Sequence, residues 1–395
     1  MHKKLLVAKF GGTSLANEKN RATVVKHCSS LLKEAKKLIV VVSAMGRSGD
    51  PYATDTLLEL VSAESTVREK DRLMICGEVI SALVMASTLR ENGIKAEALT
   101  GWEAGIATDG VSGNARIVSI DTARIEESMA HNSVVVIAGF QGVDSSGHIN
   151  TLGRGGTDTS AVVLGIALKA DEVLLYKTVD SVYTADPEKV PSAKELDVIS
   201  AEDLRQMAWQ GAKVVHPRAA EAAGSSDLAL KVRSFRTGKV VTEVVTEPLE
   251  DTRYIVGVAA GHSVTGFTVT GSGKPSVFFA ELFRKIADNS ISMDMFSVFG
   301  CSAAFTVPVE STEAVKNLLA SVNISYTTVS PCVKVSIIGA GMHGLMGVMA
   351  RFCEALARVD VDALQTVDSH ATISALVPLV QREVALRELH REFIE

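Results

Sequence analysis

The sequence predicts an α/β protein with a larger, mainly parallel-sheet domain followed by a tandem pair of small α+β units. Three observations predict it. Apolar residues make up 47% of the 395 and aromatics only 5%, so the core is to be built from Val, Ile, Leu and Ala. Leu38–Ser43 (LIVVVS) and Ser133–Phe140 (SVVVIAGF) are continuous apolar runs, the pattern of parallel strands covered on both faces. Thr270–Val309 and Ile338–Pro378 share one pattern, so the C-terminal part is duplicated.

A chain of 395 residues exceeds one ordinary core and divides into two or three domains. The net charge of −6, with acids and bases well mixed, argues against a nucleic-acid protein. Any anion is then held by local groups. The five cysteines (Cys28, Cys76, Cys301, Cys332, Cys353) form no CxxC pair and read as free thiols in a reducing compartment. The nine histidines are scattered without HExxH, so no metal site of His or Cys is expected. Lys3 and Lys4 precede an apolar run too short for a signal peptide, and no run is expected to span a membrane. A soluble, cytosolic protein is expected.

The first strand, Leu5–Ala8, runs into Lys9, Gly11, Gly12, Thr13 and Ser14. Paired glycines after a strand let the backbone approach a ligand, and Thr13 or Ser14 can cap a following helix whose free N–H groups face an anion. Lys9 would sit at the mouth of that site. The G-x-x-x-x-G-K-[ST] spacing of a Walker A loop is absent, and a plain strand–turn–helix corner with a surface lysine fits this stretch equally well. Glu18–Leu32 has Ala22, Val25 and Leu32 at helical spacing. LIVVVS opens into the Gly/Pro loop Ala44–Tyr52, which puts Ser43 at a strand's carboxyl end, where open α/β sheets place ligands. A helix restarts over Thr54–Val61. Leu73–Leu89 is expected as a helix with Glu78 near its first turn, where a carboxylate neutralises a ligand's amino group or complements the helix dipole. Ala96–Leu99 is a short strand, and SVVVIAGF ends in QG, again a strand-to-loop exit.

Leu152–Ala161, LGRGGTDTSA, is the second unusual stretch. Arg154 offers a planar fork for a carboxylate or phosphate, two glycines follow, and Thr157 or Asp158 can cap the helix Ala161–Leu168. Two glycine-rich strand-to-helix turns, each with one cation, are what a reaction between an anionic substrate and a nucleotide needs. A flexible loop with an incidental arginine is the alternative. Val173–Tyr176 leads into KTVDSVYTADPEK, helix Ala201–Gln210 precedes GAKVVHPRAA with Lys213, and Leu230–Arg233 reads as the last strand of this part. Polar TEPLEDTR at Thr246–Arg253 marks the boundary, giving domains 1–246, 255–330 and 331–395. In the repeat, GSGKPSVFFAELFRKIADNSISMDMFSV matches GAGMHGLMGVMARFCEALARVDVDALQTV with one extra residue in the second copy. Gly271 aligns with Gly339, Ser297 with Thr366 and Cys301 with His370. Each unit reads strand, Gly turn, helix, strand, turn, strand, a small split βαβ unit. The pair is a regulatory module or a duplicated domain that only dimerises.

Taken together, KFGGTS (Lys9–Ser14), VVVSAMG (Val40–Gly46), CGE (Cys76–Glu78), VVIAGFQG (Val135–Gly142), GRGGTDTSA (Gly153–Ala161) and GAKVVHPRA (Gly211–Ala219) resemble the aspartokinase family. The match covers essentially the whole chain, with the motifs in order. It implies the amino acid kinase fold, an αβα sandwich on a mainly parallel sheet, followed by two ferredoxin-like ACT domains. Length and the SAMGRSGDPYATDTLL stretch look most like the monofunctional Gram-positive type, so no fused homoserine dehydrogenase is expected.

The resemblance implies transfer of phosphate from ATP to L-aspartate, giving 4-phospho-L-aspartate, the first step towards lysine, threonine, methionine and diaminopimelate. Lys9 would bridge the transferring phosphoryl group, and Asp158 is the other residue of the catalytic set and would help complete the pocket. Gly11 and Gly12 would give the phosphates backbone N–H groups. Arg154 would clamp the substrate α-carboxylate, Glu78 would hold its α-amino group, and Ser43 and Thr157 would complete the pocket. Thr178, Tyr183 and Lys213 would contact ATP. The nucleophile is the substrate's own ionised carboxylate, so no general base is needed. Magnesium would arrive with ATP, with no metal held by the protein itself.

One stretch departs from the family pattern T-D-V-D-G-V-Y-T-A-D-P-R. This chain has Lys177–Thr178 for the Thr-Asp pair, Ser181 for the glycine and Glu188 for the final arginine, which Lys189 could replace. Asp180, Tyr183 and Asp186 are kept. The departure bears on ATP affinity or nucleotide preference and is expected to leave the phosphate and aspartate contacts untouched. ACT units imply feedback by lysine, threonine or meso-diaminopimelate at an ACT–ACT interface, in a homodimer or larger homo-oligomer. Candidate effector contacts are the Lys274–Phe278 turn, Ser292, Asp294, Gln365 and Thr366, with Asp294 facing the effector's amino group or serving as an exposed strand-end carboxylate. A kinase for an aspartate analogue and a non-catalytic amino-acid sensor are the two alternatives.

Overall fold

The continuous apolar runs become neighbouring parallel strands, and the polar turns that end them gather along one edge. The computed structural model describes residues 4–178, 181–212, 214–246, 254–271, 274–342 and 345–395. The first part runs β1 Leu5–Phe10, α1 Glu18–Glu34, β2 Lys37–Val42, α2 Thr54–Leu58, α3 Val67–Glu91, β3 Ala96–Leu99, β4 Ile106–Thr108 and β5 Ile117–Ile120. It continues through α4 Ala123–His131, β6 Val134–Ala138, β7 Gln141–Val143, β8 Ile149–Thr151, α5 Gly156–Ala167 and β9 Glu172–Lys177. Then come β10 Val198–Ser200, α6 Ala201–Trp209, α7 Pro217–Gly224, β11 Ala229–Ser234 and β12 Val240–Val245. The second part holds β13 Gly257–Thr270, α8 Pro275–Asp288, β14 Asp294–Phe299, β15 Ser302–Pro308, α9 Thr312–Ser321 and β16 Ser325–Ile338. It ends with α10 Val348–Arg358, β17 Gln365–Asp368, β18 Thr372–Pro378 and α11 Arg382–Phe393.

Two compact units emerge. One comprises Met1–Val182, Leu196–Arg205 and Val214–Leu249, and the other Tyr183–Glu195, Gln206–Lys213 and Glu250–Glu395. The first unit is built on an eight-stranded sheet in the order β10-β12-β11-β9-β1-β2-β6-β3. Every pairing in it is parallel except β11 with β12. Strand side chains alternate between faces. Leu6, Ala8 and Phe10 of β1, with Leu38, Val40, Val134, Val136 and Leu174, form one buried face against α1 and α3. The opposite face, which holds Val7, Ile39, Val135 and Leu175, is the side that carries Lys9 and packs on α5. That is the αβα sandwich.

Several local expectations change. Helix α3 begins at Val67, not near Leu73, because Thr66 and Glu69 form a capping box. Glu78 therefore lies mid-helix, where a dipole role is excluded. Gly12–Ser14 form only a 3-10 turn, and α1 is capped by Asn17, so Thr13 and Ser14 cap nothing. Helix α5 starts at Gly156 after a left-handed Gly155 at φ 70°, which puts Thr157 and Asp158 inside it. β12 follows Leu230–Arg233 as a further strand, and a small sheet β5-β4-β7-β8 forms beside the large one. By length and composition α3 is long and apolar enough to cross a membrane, against the expectation that no run spans one. Its place is in the core, with Asp71 and Glu78 buried on it and Gly77 so tight against Tyr52 O that a Cβ would stand 2.7 Å away.

The second unit holds a six-stranded antiparallel sheet, β14-β15-β13-β16-β18-β17. Two long strands serve both repeats. Val264–Thr270 of β13 pairs with β15, whereas Gly257–Ala260 pairs with Val335–Ile338 of β16, the first strand of the second repeat. The cores divide the same way. Phe267 and Val269 pack with Phe279, Leu282 and Phe305, while Ile255 and Val258 pack with Val335, Phe352 and Leu386. The line between the repeats at 330/331 runs through β16, and Thr246–Arg253 lies, apart from Thr246, outside the described residues.

Candidate active site

Strands β9, β1, β2 and β6 lie side by side and parallel, so their carboxyl ends share one edge. Lys177 ends β9, Lys9 is the penultimate residue of β1, Ser43 follows β2 and Gly139 follows β6. This is the edge on which open α/β sheets bind ligands. Helix α5 crosses its face. A Cβ on Gly139 would stand 2.6 Å from Thr157 Cγ2, so the first turn of α5 sits directly on the end of β6.

Lys9 and Asp158 face each other in that crossing. Lys9 Nζ is 2.8 Å from Asp158 Oδ1, and both side chains are almost wholly buried. The other carboxylate oxygen, Oδ2, accepts a hydrogen bond from Lys177 Nζ at 2.7 Å. The register explains the meeting: Lys9 is paired with Leu175, and Lys177 lies two residues further on the same face of the sheet. Burial alone would raise the Asp158 carboxyl, but the Lys177 and Lys9 ammonium groups outweigh it and hold the acid well below the usual carboxylate range. Burial lowers Lys177, and Asp158 opposes that shift. The 177–188 departure therefore reaches the Lys9–Asp158 pair itself, because β9 is the strand beside β1.

Above the pair the two glycines do different work. A Cβ on Gly11 would lie 3.6 Å from Lys9 Nζ, an ordinary contact, so the space over the ammonium is open. A Cβ on Gly12 would meet Ala44 O at 2.4 Å and Gly46 O at 2.5 Å, so only glycine lets these loops touch. They are joined there by Gly46 N–H donating to Gly12 O at 3.0 Å and Ser43 N–H donating to Phe10 O at 3.2 Å. A cleft of about 420 Å³ opens beside them, lined by Gly12, Ser43, Gly46, Arg47 and Thr54 among others.

Glu78 is buried against the same loop. Its Oε1 accepts the Ala44 N–H at 3.2 Å, and its Oε2 has no hydrogen-bond partner among the described residues. Burial pushes its carboxyl up to about 8, with the Ala44 N–H pulling the other way. A buried acid with one unpaired oxygen is a ready acceptor for an ammonium group.

Arg154 is exposed and makes no hydrogen bond or ion pair with a described residue. The turn that carries it is held by residues the sequence reading passed over. Gly153 and Gly155 flank it at φ 74° and 70°. A Cβ on Gly155 would lie 2.1 Å from His216 Cδ2, so the imidazole is packed against that glycine. Arg218 donates to Leu152 O and Ala115 O, each at 3.1 Å, and to Asn114 Oδ1 at 2.8 Å. The quoted motif GAKVVHPRA contained both residues, but nothing local to it pointed at Arg154.

Residues 4–234 match the amino acid kinase family, and residues 335–393 match the ACT domain. Aspartokinase 1 of Bacillus subtilis (strain 168) is 39% identical over 401 residues, covering 99% of each chain. The chain belongs to the aspartokinase family. Among solved structures, E. coli aspartokinase III in complex with aspartate and ADP (R-state) superposes with a TM-score of 0.80 at 23% identity, covering 99% of this chain and 100% of that one. The same enzyme in complex with lysine and aspartate (T-state) gives 0.73 at 23%, with the same coverage. At that identity both bear on the fold.

The remaining family-derived positions of this aspartokinase fall as follows. Thr178 is exposed just past β9, Tyr183 belongs to the second unit, where its hydroxyl donates to Glu195 Oε1 at 3.2 Å, and Lys213 lies outside the described residues, as does Asp180. Ser181, in place of the family's glycine, is fully buried and its hydroxyl donates to Val241 O at 3.2 Å. Lys189, the suggested stand-in for arginine, is instead paired with Glu383 at 3.1 Å. In the second unit, Gln365 of β17 donates to Met295 O and lies 3.4 Å from Ser297 Oγ, so β14 and β17 meet. Asp294 is ion-paired with Lys334. Ser292 and Thr366 are exposed nearby in sequence to Asp294 and Gln365.

Glu78 provides a stability prediction. Its folded value of about 8 lies above its ordinary 4.5, so the folded protein holds the extra proton and stability falls as pH rises through that window. Glu78→Gln carries no charge to bury. It should be more stable than the parent by about 1–3 kcal/mol at pH 8.5, with the gain shrinking towards pH 4.5. Urea unfolding at both pH values checks this, and an equal gain at both would rule out the raised carboxyl.

Proposed function

We propose that this chain catalyses phosphoryl transfer from ATP, as its magnesium complex, to the β-carboxylate of L-aspartate. The observation that carries the reading is the buried Lys9–Asp158 pair at the carboxyl edge of the sheet, beside a cleft and an unpaired buried carboxylate. One oxygen of the substrate carboxylate forms a bond to the γ-phosphorus. The bond from that phosphorus to the bridging oxygen breaks, and ADP leaves with the electron pair. No proton moves, so what the protein supplies is position and charge. Lys9, aimed by Asp158, offsets the charge on the transferring group. Glu78 receives the α-ammonium of aspartate and Arg154 its α-carboxylate, a division of labour that matches a buried carboxyl with one unpaired oxygen and an exposed planar cation. Magnesium enters with the nucleotide, as the metal complex of the substrate.

The ACT part supports feedback control by an amino acid, in a cytoplasmic homo-oligomer joined through these units. The E. coli relative's complexes contain aspartate with ADP in one case and lysine with aspartate in the other.

Hydroxylamine trapping of the acyl phosphate tests the reading. Purified protein with Mg-ATP and L-aspartate should yield aspartyl hydroxamate, and added lysine, threonine or diaminopimelate should suppress it for the true effector. Hydroxamate from an analogue but not from aspartate would replace the substrate. None with any acceptor, alongside amino-acid binding by calorimetry, would leave a sensor.

A further inference from the structure

We propose that Lys177 is a second phosphoryl-contacting cation of this enzyme, presented by β9 and held in place by the same carboxylate that aims Lys9. The proposal rests on the kinase reading above.

The residue lies where chemistry needs it. It is the last residue of β9, on the carboxyl edge that also carries Lys9 and Ser43, and on the α5 face of the sheet. Its ammonium is 2.7 Å from Asp158 Oδ2 while Lys9 is 2.8 Å from Oδ1. One carboxylate thus holds two cations, one on each oxygen. Two ammonium groups and one carboxylate leave a net charge of +1 in a buried setting, which is a site for an anion, not a neutral structural pair. A single lysine on Asp158 would have satisfied the acid. The second adds charge that water reaches poorly, because the Lys177 side chain is only 16% exposed.

A transferring phosphoryl group has charge spread over three equatorial oxygens, and separate fixed donors can each take one. Lys9 approaches from β1 beneath Gly11, and Lys177 approaches from the neighbouring strand. The resemblance implies threonine at this position, where this chain carries Lys177. Its backbone continues directly into Thr178, which the resemblance assigns to the nucleotide.

Steady-state kinetics on the full-length protein test this with Lys177→Met, Lys177→Arg and Lys177→Thr. If Lys177 contacts the transferring group, Lys177→Met lowers kcat by about 10²–10³-fold, the effect of removing one preorganised donor. Aspartate KM and the ADP Kd by calorimetry then stay within about threefold, since neither ligand carries that group. Lys177→Arg retains activity within about tenfold of the parent. A Lys177→Met or Lys177→Thr enzyme with kcat at or above the parent value would overturn the proposal, as would a loss of ADP and aspartate binding in step with kcat. Should Lys177→Met not fold, Lys177→Thr, which restores the family's residue, carries the same test. The kinase reading fails separately, by the absence of hydroxamate from the parent enzyme.

Discussion

Lys9→Met is expected to lower kcat by about 10³-fold, into the range seen when a charged phosphoryl-stabilising group is removed from other phosphotransferases. The reason is geometric. Lys9 Nζ is buried, fixed 2.8 Å from Asp158 and open on the Gly11 side, so its charge is preorganised and water does not substitute for it. The substitution keeps the length and apolar contacts of the side chain. It also leaves Asp158 paired with Lys177 at 2.7 Å, so the fold is not left with an uncompensated acid. Single-turnover trapping with hydroxylamine separates the chemical step from binding. Retention of more than a tenth of the parent rate would show that Lys9 only balances Asp158.

Asp158→Asn is the variant with the largest expected effect on stability. It leaves two buried ammonium groups facing a neutral amide, and removing one partner of a buried ionic cluster costs about 3–5 kcal/mol. For a domain of this size that corresponds to a fall in Tm of roughly 6–20 °C. The sign with pH follows from the depressed carboxyl. Its stabilising contribution is fully present above its ordinary value of 3.8 and is lost as pH falls through the lower folded value. Calorimetry should give a constant gap between parent and variant from pH 6 to 8, narrowing below about pH 4. Unchanged Tm at pH 7 would mean that the three charges are mutually indifferent. Activity should fall as well, since both lysines lose their aim.

What the sequence by itself determined is what is local. KFGGTS and GRGGTDTSA are contiguous, and glycines at those spacings announce close backbone approach whatever the rest of the chain does, as Gly12 and Gly155 show. Apolar runs without alternation declared buried parallel strands, and Leu38–Ser43 became β2 within one residue at either end. The repeat showed two similar units because similar side chains recur at similar spacing. The start of α3 is legible too, as the Thr66–Glu69 capping box, but the apolar pattern alone points six residues too far along.

Only the tertiary structure decided what depends on which strands are neighbours. Lys177 looked like a departure in a nucleotide loop, because nothing in a sequence says that β9 lies beside β1 or that both lysines share the α5 face. Asp158 looked like a helix cap, and the choice went instead to two lysines 19 and 149 residues away, since a buried carboxylate favours charged partners over a backbone N–H. His216 and Arg218 support the Arg154 turn across a comparable distance in the chain. The sharing of β13 and β16 between the repeats has the same origin. A strand's pairing edge is satisfied by whichever backbone the topology brings alongside, and the second repeat finds its missing strand at Gly257–Ala260, ahead of the first.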